Sequence, residues 1–250
     1  MILKTIIISI LALVIGFNPA AIKTSTSIHP VAIVKGETSG KSFTKWYSQG
    51  SAFFITDDGY LGTAAHVVKD TKNTTIWYDG KFIPAKVVMV DEDADTAILK
   101  ADLKKKNAYF NISKPKHGEV DTILGFPSVS NFGFYLHATT GISQLGIGYI
   151  SIYAMSCHGN SGGAVVNSNG DLVGILTLGF ADGFTPDGLC SSHAGAVYLD
   201  RLISMATQLN LNINKTFDKK EVKLQSQSDM ISNINNEQKV VFVQSEILDK

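Results

Sequence analysis

Between Pro30 and Val197 the chain is a succession of short apolar or alternating runs, each ended by Gly, Asn, Asp or Pro. The runs are Val31–Val34, Ser51–Thr56, Thr74–Tyr78, Phe82–Val90, Thr96–Lys100, Thr122–Leu124, Phe134–Thr139, Gly148–Ala154, Ala164–Asn167, Asp171–Leu178 and Ala194–Leu199. Asp58-Gly59, Asp79-Gly80 and Asn169-Gly170 lie between them as turn signals. Many short strands with regular turns predict an all-β chain of antiparallel sandwiches or barrels, and no βαβ repeat is visible. Asp200 followed by Leu202, Ile203, Ala206 and Leu209 predicts one amphipathic helix over 200–211 with Asp200 as its cap. Residues 212–250 are rich in Lys, Gln, Asn, Ser and Asp, with few apolar anchors before Val240–Val243, and read as a flexible polar tail.

The N-terminus has a different pattern. Lys4 precedes the apolar run from Thr5 to Phe17, then come Asn18-Pro19-Ala20-Ala21. A charge, a short apolar stretch, a breaker and small residues make a signal-peptide layout, whereas a membrane span needs about twenty apolar residues. Residues 1–21 are therefore expected to be a signal peptide. Neither Ala20 nor Ala21 has a small residue three places before it, so an uncleaved anchor through residues 2–17 is the alternative, and only then would a membrane be a partner. In the oxidising compartment that export implies, Cys157 and Cys190, the chain's 2 Cys, could pair.

Composition removes other classes. Across 250 residues, Lys+Arg 22 balances Asp+Glu 22 and 44% of residues are hydrophobic, which excludes global disorder and a chain-wide basic field. Arg201 is the single Arg, so bidentate base readout has almost nothing to use and nucleic acid is not an expected partner. There is no Gly-rich phosphate loop, no His-Glu-x-x-His pair and no zinc-type Cys/His spacing, so no metal and no cofactor are expected.

The densest chemical signal is Cys157-His158-Gly159-Asn160-Ser161-Gly162-Gly163. A Ser among glycines can be a plain turn. It also suits a nucleophile, because the oxygen of an attacked carbonyl needs backbone N–H donors that substrate can approach closely, and Gly159 and Ser161 are the natural pair. A Ser hydroxyl needs a base and a group to orient that base. Of the 6 His, His66 follows a strand, a turn and the small residues Thr63-Ala64-Ala65. Asp91, Asp93 and Asp95 compete for the orienting role; Asp95 opens an apolar run and is best placed for burial, whereas the other two read as solvated turn acids.

Thr63-Ala64-Ala65-His66, Asp95-Thr96-Ala97-Ile98-Leu99 and Gly159-Asn160-Ser161-Gly162-Gly163, in that order, resemble the trypsin-like serine proteases, especially bacterial HtrA-type and glutamyl-endopeptidase-like members. Leu124-Gly125-Phe126-Pro127, Thr139-Thr140-Gly141-Ile142-Ser143 and Gly170-Asp171-Leu172-Val173-Gly174-Ile175 are similar to that family in the same order. The resemblance implies two antiparallel six-stranded β-barrels, an N-terminal one over 28–118 carrying His66 and Asp95 and a second over 119–199 carrying Ser161, followed by the helix and the tail. It implies a serine endopeptidase acting on polypeptides through an acyl-enzyme, with Gly159 and Ser161 as the oxyanion hole. It also implies a disulfide between Cys157 and Cys190 bracing the S1 pocket, against the bland reading of two free thiols.

Departures from the pattern narrow the resemblance. Trypsin-type zymogens carry an Asp before the nucleophile to pair with a new N-terminus; Asn160 is neutral and cannot form that ion pair. The residues after Leu199 are too few for the PDZ domain that HtrA enzymes usually append, which implies a stand-alone protease. By resemblance the pocket floor falls near Met155 and Ser156, with walls that include Thr177, Gly179 and His193. No acid lies beside Met155, which argues against Lys or Arg at P1, and Met155 favours an apolar side chain. His193 and His158 keep acidic or Gln side chains open. The rival from another class is a catalytically silent binding protein on the same fold; an esterase is disfavoured because α/β-hydrolases run Ser, Asp, His.

Overall fold

The computed structural model describes residues 37–38, 41–42, 47–127, 133–179, 190–215 and 226–248. The signal-peptide or anchor segment 1–21 and the strand expected at Val31–Val34 lie outside the described residues. Among those described, no helix is long and apolar enough to cross a membrane. A short hairpin, β1 (Glu37–Thr38) and β2 (Lys41–Ser42), comes first. Then follow β3 (Tyr47–Phe54), β4 (Tyr60–Thr63), the one-turn α1 (Ala65–Val68), β5 (Thr71–Tyr78), β6 (Lys81–Asp91) and β7 (Thr96–Ala101). The second half holds β8 (Val120–Gly125), β9 (His137–Leu145), β10 (Tyr149–Ile152), β11 (Ser156–Cys157), β12 (Ala164–Val166), β13 (Leu172–Gly179), β14 (Cys190–Ser191) and β15 (Ala194–Tyr198). After it come α2 (Asp200–Gln208), α3 (Gln227–Asn236) and β16 (Val240–Ile247).

Two closed antiparallel barrels result, in the orders β16-β3-β4-β7-β6-β5 and β10-β15-β13-β12-β8-β9. Both have six strands, as the family resemblance implied. The β5–β6 hairpin turns on Asp79 (φ 52°) and Gly80 (φ 72°), the left-handed pair of a type I′ turn whose twist suits the flanking strands. Alternate residues fill the barrels: Ala52, Phe54, Leu61, Ile76, Leu99, Val241 and Val243 in the first, Ile123, Ile150, Ile152, Val165 and Val173 in the second. A third cluster explains why runs such as Phe53-Phe54 and Ile98-Leu99 are apolar without alternation. Phe53, Ile98 and Phe242 turn outward from the first barrel and pack with Leu124, Ala164 and Ile175 of the second, together with Leu202 and Met205 of α2. Each such side chain contributes about 1.5–3 kcal/mol on full burial.

Four expectations change. The first barrel is not contained in 28–118, because β16 lies between β3 and β5, pairing Ser51 with Phe242 on one side and Trp77 with Phe242 on the other. Residues 226–247 are therefore structural where a flexible tail over 212–250 was expected. Ser226 caps α3 by accepting from Asp229 N–H at 3.1 Å, and Met230, Ile234 and Val240–Val243 are buried. Asp200 is the first residue of α2 and not its cap; Leu199 occupies the cap without a side-chain hydrogen bond, and Asp200 instead places a negative charge in the positively polarised first turn. The strand expected at Phe134–Thr139 runs from His137 to Leu145.

Candidate active site

His66 lies in α1, which follows β4 directly, and Asp95 lies in the β6–β7 turn with φ 44°. That turn is held by Asp91, whose Oδ1 accepts from Ala94 N–H at 2.9 Å and whose Oδ2 pairs with Arg201. Asp91 thus shapes the turn that aims Asp95. Asp95 Oδ1 accepts from His66 backbone N–H at 2.9 Å and meets ring Nδ1 at 3.0 Å, with Oδ2 at 2.8 Å from the same nitrogen. Burial pushes the Asp95 carboxyl up, but hydrogen bonds from the His66 ring and backbone, the His66 charge and Ala65 N–H outweigh it and hold the pKa below the ordinary value. An ionised Asp95 favours the tautomer with the proton on Nδ1, which leaves Nε2 able to accept one.

The Ser161 turn is packed against the same region. A Cβ on Gly162 would stand 2.2 Å from Thr63 Oγ1 and 3.0 Å from Ala64 N, so only glycine lets the turn sit directly on the segment that leads into His66. Within the turn, Asn160 N–H donates to Cys157 O at 3.0 Å, Gly162 N–H to Leu176 O at 2.7 Å and Gly163 N–H to Asn160 O at 2.9 Å. Among the described residues the N–H groups of Gly159 and Ser161 have no protein acceptor. The Ser161 hydroxyl hydrogen-bonds to Thr177 O at 3.5 Å. Asn160 is buried and its Oδ1 has no partner among the described residues, a position where a neutral amide costs far less than a carboxylate.

Cys157 and Cys190 face each other across the β11–β14 ladder and are joined by a disulfide with Cα atoms 3.8 Å apart. Ser156 beside it is buried, as is Thr177, whose Oγ1 donates to Gly195 O at 3.4 Å. Gly179 pairs with Ala194 at the end of β13. Met155 is 52% exposed and belongs to none of the three apolar clusters. His193 is stacked on Tyr153 with ring centroids 4.4 Å apart, and its Nε2 is 2.5 Å from Ser151 Oγ. These contacts hold the His193 ring by one face and one nitrogen. His158 is exposed.

A two-barrel fold with a carboxylate-held imidazole beside a glycine-rich serine turn is matched by a known family: the trypsin-like peptidase domain matches residues 50–175. The chain belongs to the trypsin-like peptidase family. Among its relatives is the probable periplasmic serine endoprotease DegP-like of Rhizobium meliloti (strain 1021), 39% identical over 147 residues, covering 54% of this chain and 28% of that protein. Serine protease HTRA1A of Danio rerio is 34% identical over 148 residues, covering 52% of this chain and 30% of the relative. The chain therefore spans about three tenths of the length of these relatives. Among solved structures, the HtrA-type protease AlgW with decapeptide superposes with a TM-score of 0.54 at 27% identity, covering 64% of this chain and 51% of that one. The HtrA side of the resemblance holds for this trypsin-like chain.

Reading motifs singled out His66, Asp95, Ser161 and Gly159 but not the groups that hold them. Asp91 passed for a solvated acid, although Arg201 is its partner. Thr63 and Ser51 were visible only as part of the approach to His66; a buried hydroxyl with no apolar role is the signal that marks them.

Proposed function

We propose that this trypsin-like protein is a serine endopeptidase working through a His66, Asp95 and Ser161 triad. The observation that carries the reading is the double hold of Asp95 on His66, through the backbone N–H at 2.9 Å and through Nδ1 at 2.8 Å. The reaction requires the Ser161 hydroxyl to leave Thr177 O, to which it hydrogen-bonds at 3.5 Å, and to turn to the imidazole. His66 Nε2 takes the Ser161 proton as Oγ bonds to the substrate carbonyl carbon, and the oxygen that becomes negative is received by Gly159 N–H and Ser161 N–H. The C–N bond then breaks, the leaving amine takes the proton from His66, and water repeats the sequence on the ester. Asp95 stabilises the imidazolium without taking its proton.

The substrate is a polypeptide, in keeping with the decapeptide in the AlgW structure. The layout of residues 1–21 and the periplasmic names of relatives support export. Fluorophosphonate labelling tests the reaction: folded protein should take up one label, lost in Ser161→Ala. The Ser161–Thr177 hydrogen bond favours a second reading, a silent binding cleft. In that case neither the wild type nor Ser161→Ala would cleave casein or a peptide library, and no label would be found.

A further inference from the structure

Ser51 is fully buried in β3, opposite Phe242 of β16, and every polar group it has is engaged. Its N–H donates to Ser161 O at 2.8 Å and its carbonyl accepts from Thr63 Oγ1 at 2.7 Å. Its Oγ donates to Gly159 O at 2.8 Å and accepts from Phe126 N–H at 2.9 Å. A hydroxyl has a single proton, and with Phe126 N–H arriving as a donor that proton is committed to Gly159 O. One residue of the first barrel therefore holds two carbonyls of the nucleophile turn in the second, and β16 backs it along the strand.

The consequence falls on the N–H groups that point the other way. The Gly159–Asn160 peptide is held at both ends, its oxygen by Ser51 and its N–H by Cys157 O. Peptide planes are rigid, so holding this one fixes the Gly159 Cα and leaves only the φ and ψ of Gly159 itself to set the direction of its N–H. Without that hold Gly159, at φ 96°, is free to rotate as no other residue type is. We propose that Ser51 is a positioning residue: its hydroxyl keeps the Gly159 and Ser161 N–H groups at the spacing an oxyanion requires. This rests on the oxyanion role given to those groups above.

Ser51→Ala removes the hydroxyl and leaves the backbone bond to Ser161 O in place; Ser51→Gly does the same should the alanine variant not fold. Ile76→Val, a truncation elsewhere in the core of the same barrel, is the control for lost stability. Three readouts are compared: kcat and KM on a peptide amide, affinity for a peptide boronate whose tetrahedral adduct fills the oxyanion position, and amide hydrogen exchange over residues 157–163. Ser51→Ala should lower kcat by about 10- to 100-fold with KM within about twofold, below the 10²–10³ typical when a donor itself is lost. Boronate affinity should fall by a similar factor and exchange over 157–163 should rise, while Ile76→Val keeps kcat and boronate affinity. Unchanged kcat and boronate affinity in Ser51→Ala, in an enzyme that fluorophosphonate labels, would overturn the positioning role. A wild type that takes no label, with exchange still raised in Ser51→Ala, would sink the protease reading and leave the clamp standing.

Discussion

Asp95 holds His66 at two points, the backbone N–H at 2.9 Å and Nδ1 at 3.0 and 2.8 Å, so one carboxylate sets both the place of the residue and the tautomer of its ring. Asp95→Asn keeps the size but offers an N–H₂ where Nδ1–H must donate. Peptide hydrolysis should fall by about 10⁴ in kcat with folding retained. A loss under tenfold in kcat, measured on protein with a native circular-dichroism spectrum, would remove Asp95 from the triad.

The same carboxyl gives a pH signature. Its pKa is lowered in the folded protein, so the stability it contributes is present above the unfolded value of about 4 and is lost as pH falls through the lower folded value. Asp121 runs the opposite way. It is fully buried and accepts from Ser143 Oγ, but burial pushes its pKa up to about 6, aided by the Glu119 charge. Its contribution is complete below pH ~4 and disappears as pH rises through about 6, a loss on the order of 3 kcal/mol. Asp121→Asn should flatten thermal stability between pH 4 and about 7 and raise the unfolding midpoint at pH ~7.5. A variant with the wild-type pH profile would show that Asp121 is not the titrating group.

The Cys157–Cys190 bond joins two-residue strands that have little ladder of their own. Its loss in Cys157→Ser/Cys190→Ser should cost about 2–4 kcal/mol in urea unfolding. KM should rise more than kcat falls, because the bond borders Ser156 and leaves the triad untouched. Intact mass without reductant showing two free thiols in protein refolded under air would contradict it.

Removing residues 239–250 would open the first barrel and leave β3 and β5 as unpaired edges. Such a truncation should aggregate and lose activity, since edge strands without cover invite pairing with other chains. Phe242→Ala, which empties the contact between the barrels, should cost about 3–5 kcal/mol while leaving the ladder intact. A soluble, active protein ending at Gln238 would show that the strand is dispensable.

Much of the candidate site was legible because its signals are local. The glycines around Ser161, the small residues before His66 and the apolar run after Asp95 are each fixed by what a turn or a buried strand tolerates within a few positions. The same holds for the strands, whose alternation and Asp-Gly turns depend on backbone geometry alone. α3 and β16 carried local signals too, with Ser226-Gln227-Ser228-Asp229 before Met230 and an apolar run at Val240–Val243. Polar composition around them masked both.

Composition and period could name Val240–Val243 as a strand but not its neighbours. That choice belongs to the whole fold: the open edges of β3 and β5 need hydrogen bonds, and Phe242 needs an apolar partner on the far barrel. The assignment of Asp91 to Arg201, the exposure of Met155, the stacking of His193 on Tyr153 and the reach of Ser51 to Gly159 are of the same kind. Each depends on groups far apart in the chain meeting at hydrogen-bond or van der Waals range. Local pattern establishes which residues can do chemistry; the packing of two barrels decides which of them are held to do it.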